Sequence, residues 1–347
     1  MRIFVTGGAG FIGSNFIRYV LSQTDDVQIT NFDKLTYAGN PANLADLAEA
    51  DGTKDRYAFV KGDICDGAHL TTAMAGHDAV VNFAAESHVD RSITGGAEFM
   101  VANVVGAQTI FDVARKADVK RFLHISTDEV YGSIDEPGSF VEGDALEPNS
   151  PYSVSKASAD LLARAYGVTY DYPITVTRTA NNFGPYHYPE KVIPLFITNL
   201  IDGLKVPLYG QGANIRDWTY VIDNAAAQWL ALVHGAAGEV YNVGAGNEIT
   251  NKQLTYAILE RFGLTDEKAD DRIEFVADRP GHDLRYSVDT SKIRALGWQP
   301  AHTFEQALDA TVEWYRTHQD WWRPLKQSGA SSRRGLVSAA AGGPVAE

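Results

Sequence analysis

Thr6-Gly7-Gly8-Ala9-Gly10-Phe11-Ile12-Gly13-Ser14 follows the apolar run Arg2-Ile3-Phe4-Val5 and leads into an amphipathic stretch ending near Ser22. A strand that meets glycines at a Gly-x-x-Gly-x-x-Gly spacing and continues as a helix turns tightly enough for backbone N–H groups to approach a pyrophosphate. Glycine turns also occur in ordinary loops, so the surrounding rhythm decides the matter. Apolar runs at Arg2–Thr6, Val27–Asp33, Tyr57–Asp63, Ala79–Ala85, Arg121–Ser126 and Ile174–Thr179 alternate with helical stretches at Phe11–Ser22, Gly95–Ala117 and Pro151–Tyr170. That alternation predicts an α/β protein built on a Rossmann-type doubly wound parallel sheet.

The second run ends in Asp33, 20 residues after Gly13. A carboxylate there accepts hydrogen bonds from both ribose hydroxyls and repels a 2′-phosphate, which favours NAD over NADP. The adjacent Lys34 would soften that preference. Asp63, ending the third run, has the position to reach the adenine or, equally, to cap a helix.

Beyond residue 183 the rhythm changes. Phe183-Gly-Pro-Tyr-His-Tyr-Pro189 interrupts regular structure, and Lys191–Gly203, Tyr220–His234, Thr250–Phe262 and Thr303–Thr317 read as helices. We therefore expect residues 1–182 to form, in the main, a dinucleotide-binding domain, and 183–325 a smaller helix-rich substrate-binding region, with some interleaving of the chain. Ser328–Glu347, rich in Ala, Gly and Ser, reads as a disordered tail.

With 347 residues, 45% of them hydrophobic, the chain can bury a large core without metals or disulfides. A formal net charge of -14 argues against a nucleic-acid partner, which needs a basic surface. The single cysteine, Cys65, excludes an intrachain disulfide and a multi-cysteine metal site. No apolar run is long enough to span a membrane and no secretory leader opens the chain, so the expected location is the cytoplasm. The long helices are more apolar at Phe99, Val104, Ile110, Phe111, Leu161, Leu162 and Ala165 than one sheet face needs. A homodimer contact between helices, or simple core packing, would account for them.

The chemistry lies in Ser126-Thr127-Asp128-Glu129-Val130-Tyr131-Gly132 and Tyr152-Ser-Val-Ser-Lys156. Tyr152 and Lys156, four residues apart, share one helix face. A tyrosine acting as base near neutral pH needs about three units of pKa depression, about 4 kcal/mol, which Lys156 and a nicotinamide cation would provide. Thr127 is expected to hydrogen-bond the same substrate oxygen. Asp128 and Glu129 follow at the C-terminal end of a parallel strand, where such sheets bind ligands. Once a sugar carbon is a ketone, a carboxylate can remove the neighbouring proton while an acid protonates a departing β-hydroxyl. Elsewhere such a pair would be an exposed acidic loop.

Together with Asp33-Lys-Leu-Thr-Tyr-Ala-Gly-Asn40, Ala84-Ala-Glu-Ser-His-Val-Asp-Arg-Ser92, Pro148-Asn-Ser-Pro-Tyr152, Asn181-Asn182, Pro189-Glu-Lys-Val-Ile-Pro194 and Asp278-Arg-Pro-Gly-His282, these pieces resemble the dTDP-glucose 4,6-dehydratases of the extended short-chain dehydrogenase group. The similarity runs over nearly all of residues 1–325. It implies a redox-neutral cycle: oxidation at C4 assisted by Tyr152, removal of the C5 proton by Glu129, protonation of the C6 hydroxyl by Asp128, and return of hydride to C6. It further implies NAD held by Gly7, Gly10, Phe11, Ile12, Gly13, Asp33, Lys34, Leu35, Thr36, Asp63, Ile64, Ala84, Ala85, Tyr152, Lys156 and Asn182. The nucleotide sugar would meet Ser87, Thr127, Asn181, Lys191, Val192, Arg216, Asn251, Arg279 and His282, with Pro207, Leu208 and Tyr209 flanking its base. Surface ion pairing is the plainer account of Arg216 and Arg279, as capping or packing is of Asn251 and His282. The sequence departs from the usual pattern at Ala102, Thr179-Ala180 and Phe183, none of them an assigned proton donor or acceptor. A 4-epimerase or decarboxylase of the same group would need the C4 oxidation but no acid and base pair. A non-catalytic NAD-sensing protein would need none of Asp128, Glu129, Tyr152 and Lys156.

Overall fold

The computed structural model describes residues 1–278 and 281–327, so the expected tail at 328–347 and the candidate Arg279 lie outside the described residues. Seven parallel strands form the central sheet: β1 (Arg2–Thr6), β2 (Gln28–Asp33), β3 (Tyr57–Lys61), β4 (Ala79–Asn82), β5 (Arg121–Thr127), β6 (Thr175–Thr179) and, from much later in the chain, Val240–Val243. In space they run β3-β2-β1-β4-β5-β6 and then the late strand, which is the Rossmann-type order extended by one. The order reverses between β1 and β4, where Ile3 pairs with Ala79 and Thr6 with Asn82. A ligand crevice opens at such a switch point, outside the carboxyl ends of the strands. β1 and β4 are apolar on both faces because helices cover both.

Two cores flank the sheet. One joins Phe16, Ile17 and Val20 of the helix Phe11–Gln23 to Ala227 and Ala231 of Val221–His234. The other gathers Ile110 and Phe111 with Ala159 and Ala163 of Pro151–Tyr170. The predicted helix at 95–117 begins at Gly96 and contains one wide π-type turn, Val101–Val105, before continuing to Lys116.

The C-terminal region is less purely helical than expected. Helices at Val192–Ile201, Asn251–Glu260 and Phe304–Thr317 enclose a third core around Phe196, Leu254, Tyr315 and Trp322. Between them lie short strands, numbered onward as β7 (Asn181–Phe183), β8 (Val206–Tyr209), β9 (Ile215–Tyr220), β10 (the late strand of the main sheet), β11 (Glu248–Thr250) and β12 (Ile273–Val276). β11-β9-β7 form one small sheet and β12-β8 another. Strands of three to six residues show too few alternations to stand out from loops. No described helix is long and apolar enough to cross a membrane.

Candidate active site

The crevice at the switch point is a cavity of about 1130 Å³. Its floor is the glycine-rich turn. Gly7 has φ of +70°, and a Cβ there would lie 2.5 Å from the Ala84 nitrogen; at Gly13 it would lie 2.5 Å from the Gly7 carbonyl. Only glycine lets the turn, β4 and the helix approach so closely. The helix Phe11–Gln23 has no side-chain cap and no acidic residue in its first turn, leaving its positive end to an anion. Asp33 is held over this turn: Oδ2 accepts from the Ala9 N–H (2.9 Å) and Oδ1 from the Leu35 N–H (2.8 Å). Burial raises its pKa, while those two bonds hold it down. A dinucleotide fits this donor set, with amides for the diphosphate and a carboxylate for the ribose. Lys34 is committed to Asp63 at 2.8 Å, which weakens it as a partner for a 2′-phosphate. Asp63 also accepts from the Cys65 N–H, and the cap of the helix Gly67–Met74 is Asp66 instead.

Among the sequence candidates, Gly7, Gly10, Phe11, Ile12, Gly13, Asp33, Lys34, Thr36, Asp63, Ile64, Ala84, Ala85, Ser87, Thr127, Glu129, Tyr152, Lys156, Asn181, Asn182, Lys191 and Val192 all line this one cavity. Leu35 and Asp128 do not: Leu35, with φ of 58°, turns the chain and contributes its amide to Asp33, and Asp128 is buried behind the wall that Thr127 and Glu129 form.

The reacting end is built by β5 and the helix Pro151–Tyr170, whose first turn is locked by a capping box between Ser150 and Ser153. Thr127 caps the short turn Asp128–Tyr131, accepting from the Glu129 N–H at 3.3 Å and donating to Asp128 Oδ1 at 3.2 Å. Asp128 is buried, and its Oδ2 finds no partner among the described residues. Burial, then the like charge of Glu129, pushes its pKa up to about 8, against the pull of Arg216. Asp128 therefore keeps its proton at neutral pH, while Glu129 opens on the cavity.

Tyr152 departs from expectation. Burial, then the acidic side chains of Glu129 and Asp128, raises its pKa well above the ordinary value, and Thr127 offsets this only in part. Lys156 does not lower it here. Lys156 is itself buried, donates to the Ile125 carbonyl at 2.6 Å and is pushed down to about 8 by desolvation, with Asp160 opposing. Asp160 in turn takes a buried 2.8 Å ion pair from Arg178. The chain's own charges leave the phenol protonated; a cation placed beside it is needed for it to act as a base.

A second lobe carries the remaining candidates outside the cavity. On β8 the side chains alternate, so Leu208 sinks into the C-terminal core while Tyr209 stays exposed. Leu208 thus has no side-chain face for a base. The Tyr209 ring stands edge-on to His282 at 6.4 Å, and His282 contacts Asp278 at 2.6 Å. Pro207 and Asn251 are half-buried nearby. Arg216 is not a surface ion-pair residue: it is buried, donates to the carbonyls of Asp283 (2.8 Å) and Leu284 (3.2 Å), and lies 4.0 Å from the Tyr286 ring centroid. Glu129 raises the pKa of Tyr286 and Arg216 lowers that of Asp128, so the two lobes meet at the acidic pair.

The sequence reading named Ser87 and Lys191 but missed Tyr37, Arg91 and Glu190, which line the cavity with them. Arg91 lies 3.7 Å from the Tyr37 ring centroid and pairs with Glu190 at 3.0 Å; Lys191 donates to the Ser87 carbonyl at 3.1 Å. These residues sit in three of the quoted segments, but nothing in one dimension pairs them.

The comparisons agree with this architecture. The family model described as GDP-mannose 4,6 dehydratase matches residues 4–311. A dTDP-glucose 4,6-dehydratase of Streptomyces niveus is 51% identical over 94% of this chain and 96% of its own length. One from Salmonella typhimurium is 47% identical over 95% and 96%. The crystal structure of DesIV, a dTDP-glucose 4,6-dehydratase from Streptomyces venezuelae with NAD and TYD bound, superposes with a TM-score of 0.89 at 51% identity, covering 94% of this chain and all of that one. The chain belongs to the GDP-mannose 4,6 dehydratase family and, within it, to the group of the dTDP-glucose 4,6-dehydratases.

Proposed function

We propose that this protein converts dTDP-glucose to dTDP-4-keto-6-deoxyglucose and water, with NAD in the switch-point cavity. The observation that carries the reading is the placement of Glu129 on the wall of one cavity with Thr127, Tyr152 and Lys156, with the buried carboxyl of Asp128 hydrogen-bonded to Thr127 directly behind it. NAD+, which the glycine-rich turn, Asp33, Tyr152 and Lys156 would hold, would supply the hydride acceptor for C4 and the hydride donor for C6. Tyr152 takes the C4 hydroxyl proton, with Thr127 orienting the same oxygen. Lys156 is fixed on the Ile125 carbonyl in the same cavity as Tyr152, where it would hold the cofactor's ribose. Glu129 removes the C5 proton made acidic by the C4 carbonyl, and Asp128 gives its proton to the C6 hydroxyl, which leaves as water. Residues 1–182 would mainly hold the dinucleotide and 183–325 mainly the nucleotide sugar, with some interleaving of the chain, Arg216 meeting the sugar nucleotide and Tyr209 flanking its base. The same reading places the protein in the cytoplasm as a homodimer.

The test is to supply purified protein with NAD+ and dTDP-, UDP- or CDP-glucose in parallel and to follow products by mass spectrometry. A product lighter by one water from dTDP-glucose, without net NADH, is expected. Unchanged glucose or its C4 epimer would overturn the reading.

A further inference from the structure

We infer that Asn43 is a positioning residue for the dinucleotide site, bracketing the glycine-rich turn against the C-terminal helical stretch at 319–327; the inference rests on the function proposed above. Asn43 is 1% exposed and uses both ends of its carboxamide. Its Nδ2 donates to the Ala9 carbonyl at 2.9 Å, and its Oδ1 accepts from the Trp321 indole N–H at 2.8 Å. The Asn40 N–H donates to the same Ala9 carbonyl at 3.0 Å. Arg18 grips the Asn43 main-chain carbonyl through Nε (3.0 Å) and Nη2 (2.6 Å).

The effect on the cofactor follows from peptide geometry. The Ala9 carbonyl shares a rigid plane with the Gly10 N–H, which donates to the Gly7 carbonyl at 3.2 Å, so holding that oxygen fixes the closed turn from which the first helical amides, beginning at Phe11, set out. The preceding plane is held through the Ala9 N–H by Asp33, whose carboxylate is the ribose partner. The turn is therefore clamped on one side by Asp33 and on the other by Asn43. The second clamp is tied to an indole 278 residues away in sequence. A segment far along the chain, outside the cavity lining but with Trp321 edge-on to the lining residue Tyr186 at 5.8 Å, thereby sets how well the diphosphate-binding amides are pre-aligned.

Two variants test this by calorimetric titration with NAD+ and, separately, with dTDP. Asn43→Leu keeps the volume and removes both bonds; Trp321→Phe keeps an aromatic ring and removes only the indole donor. NAD+ affinity is expected to fall about tenfold in the first and about threefold in the second, the scale of one or two lost hydrogen bonds, with dTDP affinity unchanged. Equal weakening of NAD+ and dTDP, or NAD+ affinity within error of the parent in Trp321→Phe, would overturn the assignment. Should Asn43→Leu fail to fold, Trp321→Phe decides alone. An unmodified protein that fails to bind NAD+ would instead sink the reading beneath it.

Discussion

Asp128 and Glu129 are neighbours in sequence to which the proposed reaction gives opposite tasks, and the division is electrostatic. Both cannot ionise cheaply side by side, and the more buried one gives way. The elimination rate should therefore fall as pH rises through about 8, where Asp128 loses its proton and Lys156 does the same. The sign for stability is the same for Asp128. The native state keeps a proton that the unfolded chain releases above about pH 4, so stability declines from about pH 4 to about 8. Asp128→Asn should flatten that part of the decline, seen by denaturant unfolding at several pH values, while abolishing water elimination. Glu129→Gln should leave C4 oxidation visible as NADH absorbance but slow solvent-deuterium entry at C5 by about 10² to 10⁴. Equal loss of both steps would contradict the split roles. The sequence departures are accommodated locally. The Thr179 hydroxyl accepts from Asn182 Nδ2 at 2.9 Å and donates to Asn224 at 2.9 Å. Phe183 is fully buried against Trp218 and Tyr220, where a phenol would need a partner.

At the scale of elements, one helix carries the redox pair and one strand end the acids. Pro151–Tyr170 starts with proline in its first turn and a Ser150–Ser153 capping box, so Tyr152 sits in a turn whose amides are already satisfied. Ser150→Ala should cost about 1 kcal/mol, lower the melting temperature by a few degrees and reduce the C4 oxidation rate more than dTDP binding. An unchanged ratio of oxidation to binding would show the cap to be structural only. These elements were legible because their signals are local: serine and proline before an apolar stripe, aspartate at a strand end, glycines at a turn. The short strands β7, β8, β9, β11 and β12 were not, because they pair across loops rather than along the chain. Likewise Leu208 looked like a base contact until the alternation of β8 turned it into the core.

At the scale of the molecule, the helix residues first suspected of joining two copies divide into two groups. Phe99, Ile110 and Phe111 are core, and Val104 and Leu162 are half-buried. Leu161 is 58% exposed, and Val101, Val105, Val154 and Val168 are exposed with it. An apolar face of this kind on two adjacent helices suits a second copy of the chain. If the proposed homodimer forms through this face, Val105→Asp with Leu161→Asp should convert it to monomer in sedimentation velocity, and an unchanged dimer, or a parent protein that is itself monomeric, would refute that contact. Read alone, the amino-acid order determined the parallel α/β sheet, the dinucleotide turn and NAD as the cofactor, and it marked Asp128, Glu129 and Tyr152 as candidates for acid, base and phenol. Each of these depends on residues a few positions apart or on a strand end whose place is set by the chain's own rhythm. Tertiary structure alone decided which acid keeps its proton, that Lys156 and Tyr152 are both desolvated against their charges, that Arg216 is buried, and that Trp321 braces the glycine turn. Those depend on burial and on contacts between segments far apart in sequence, where low dielectric and packing, not residue type, set the energy.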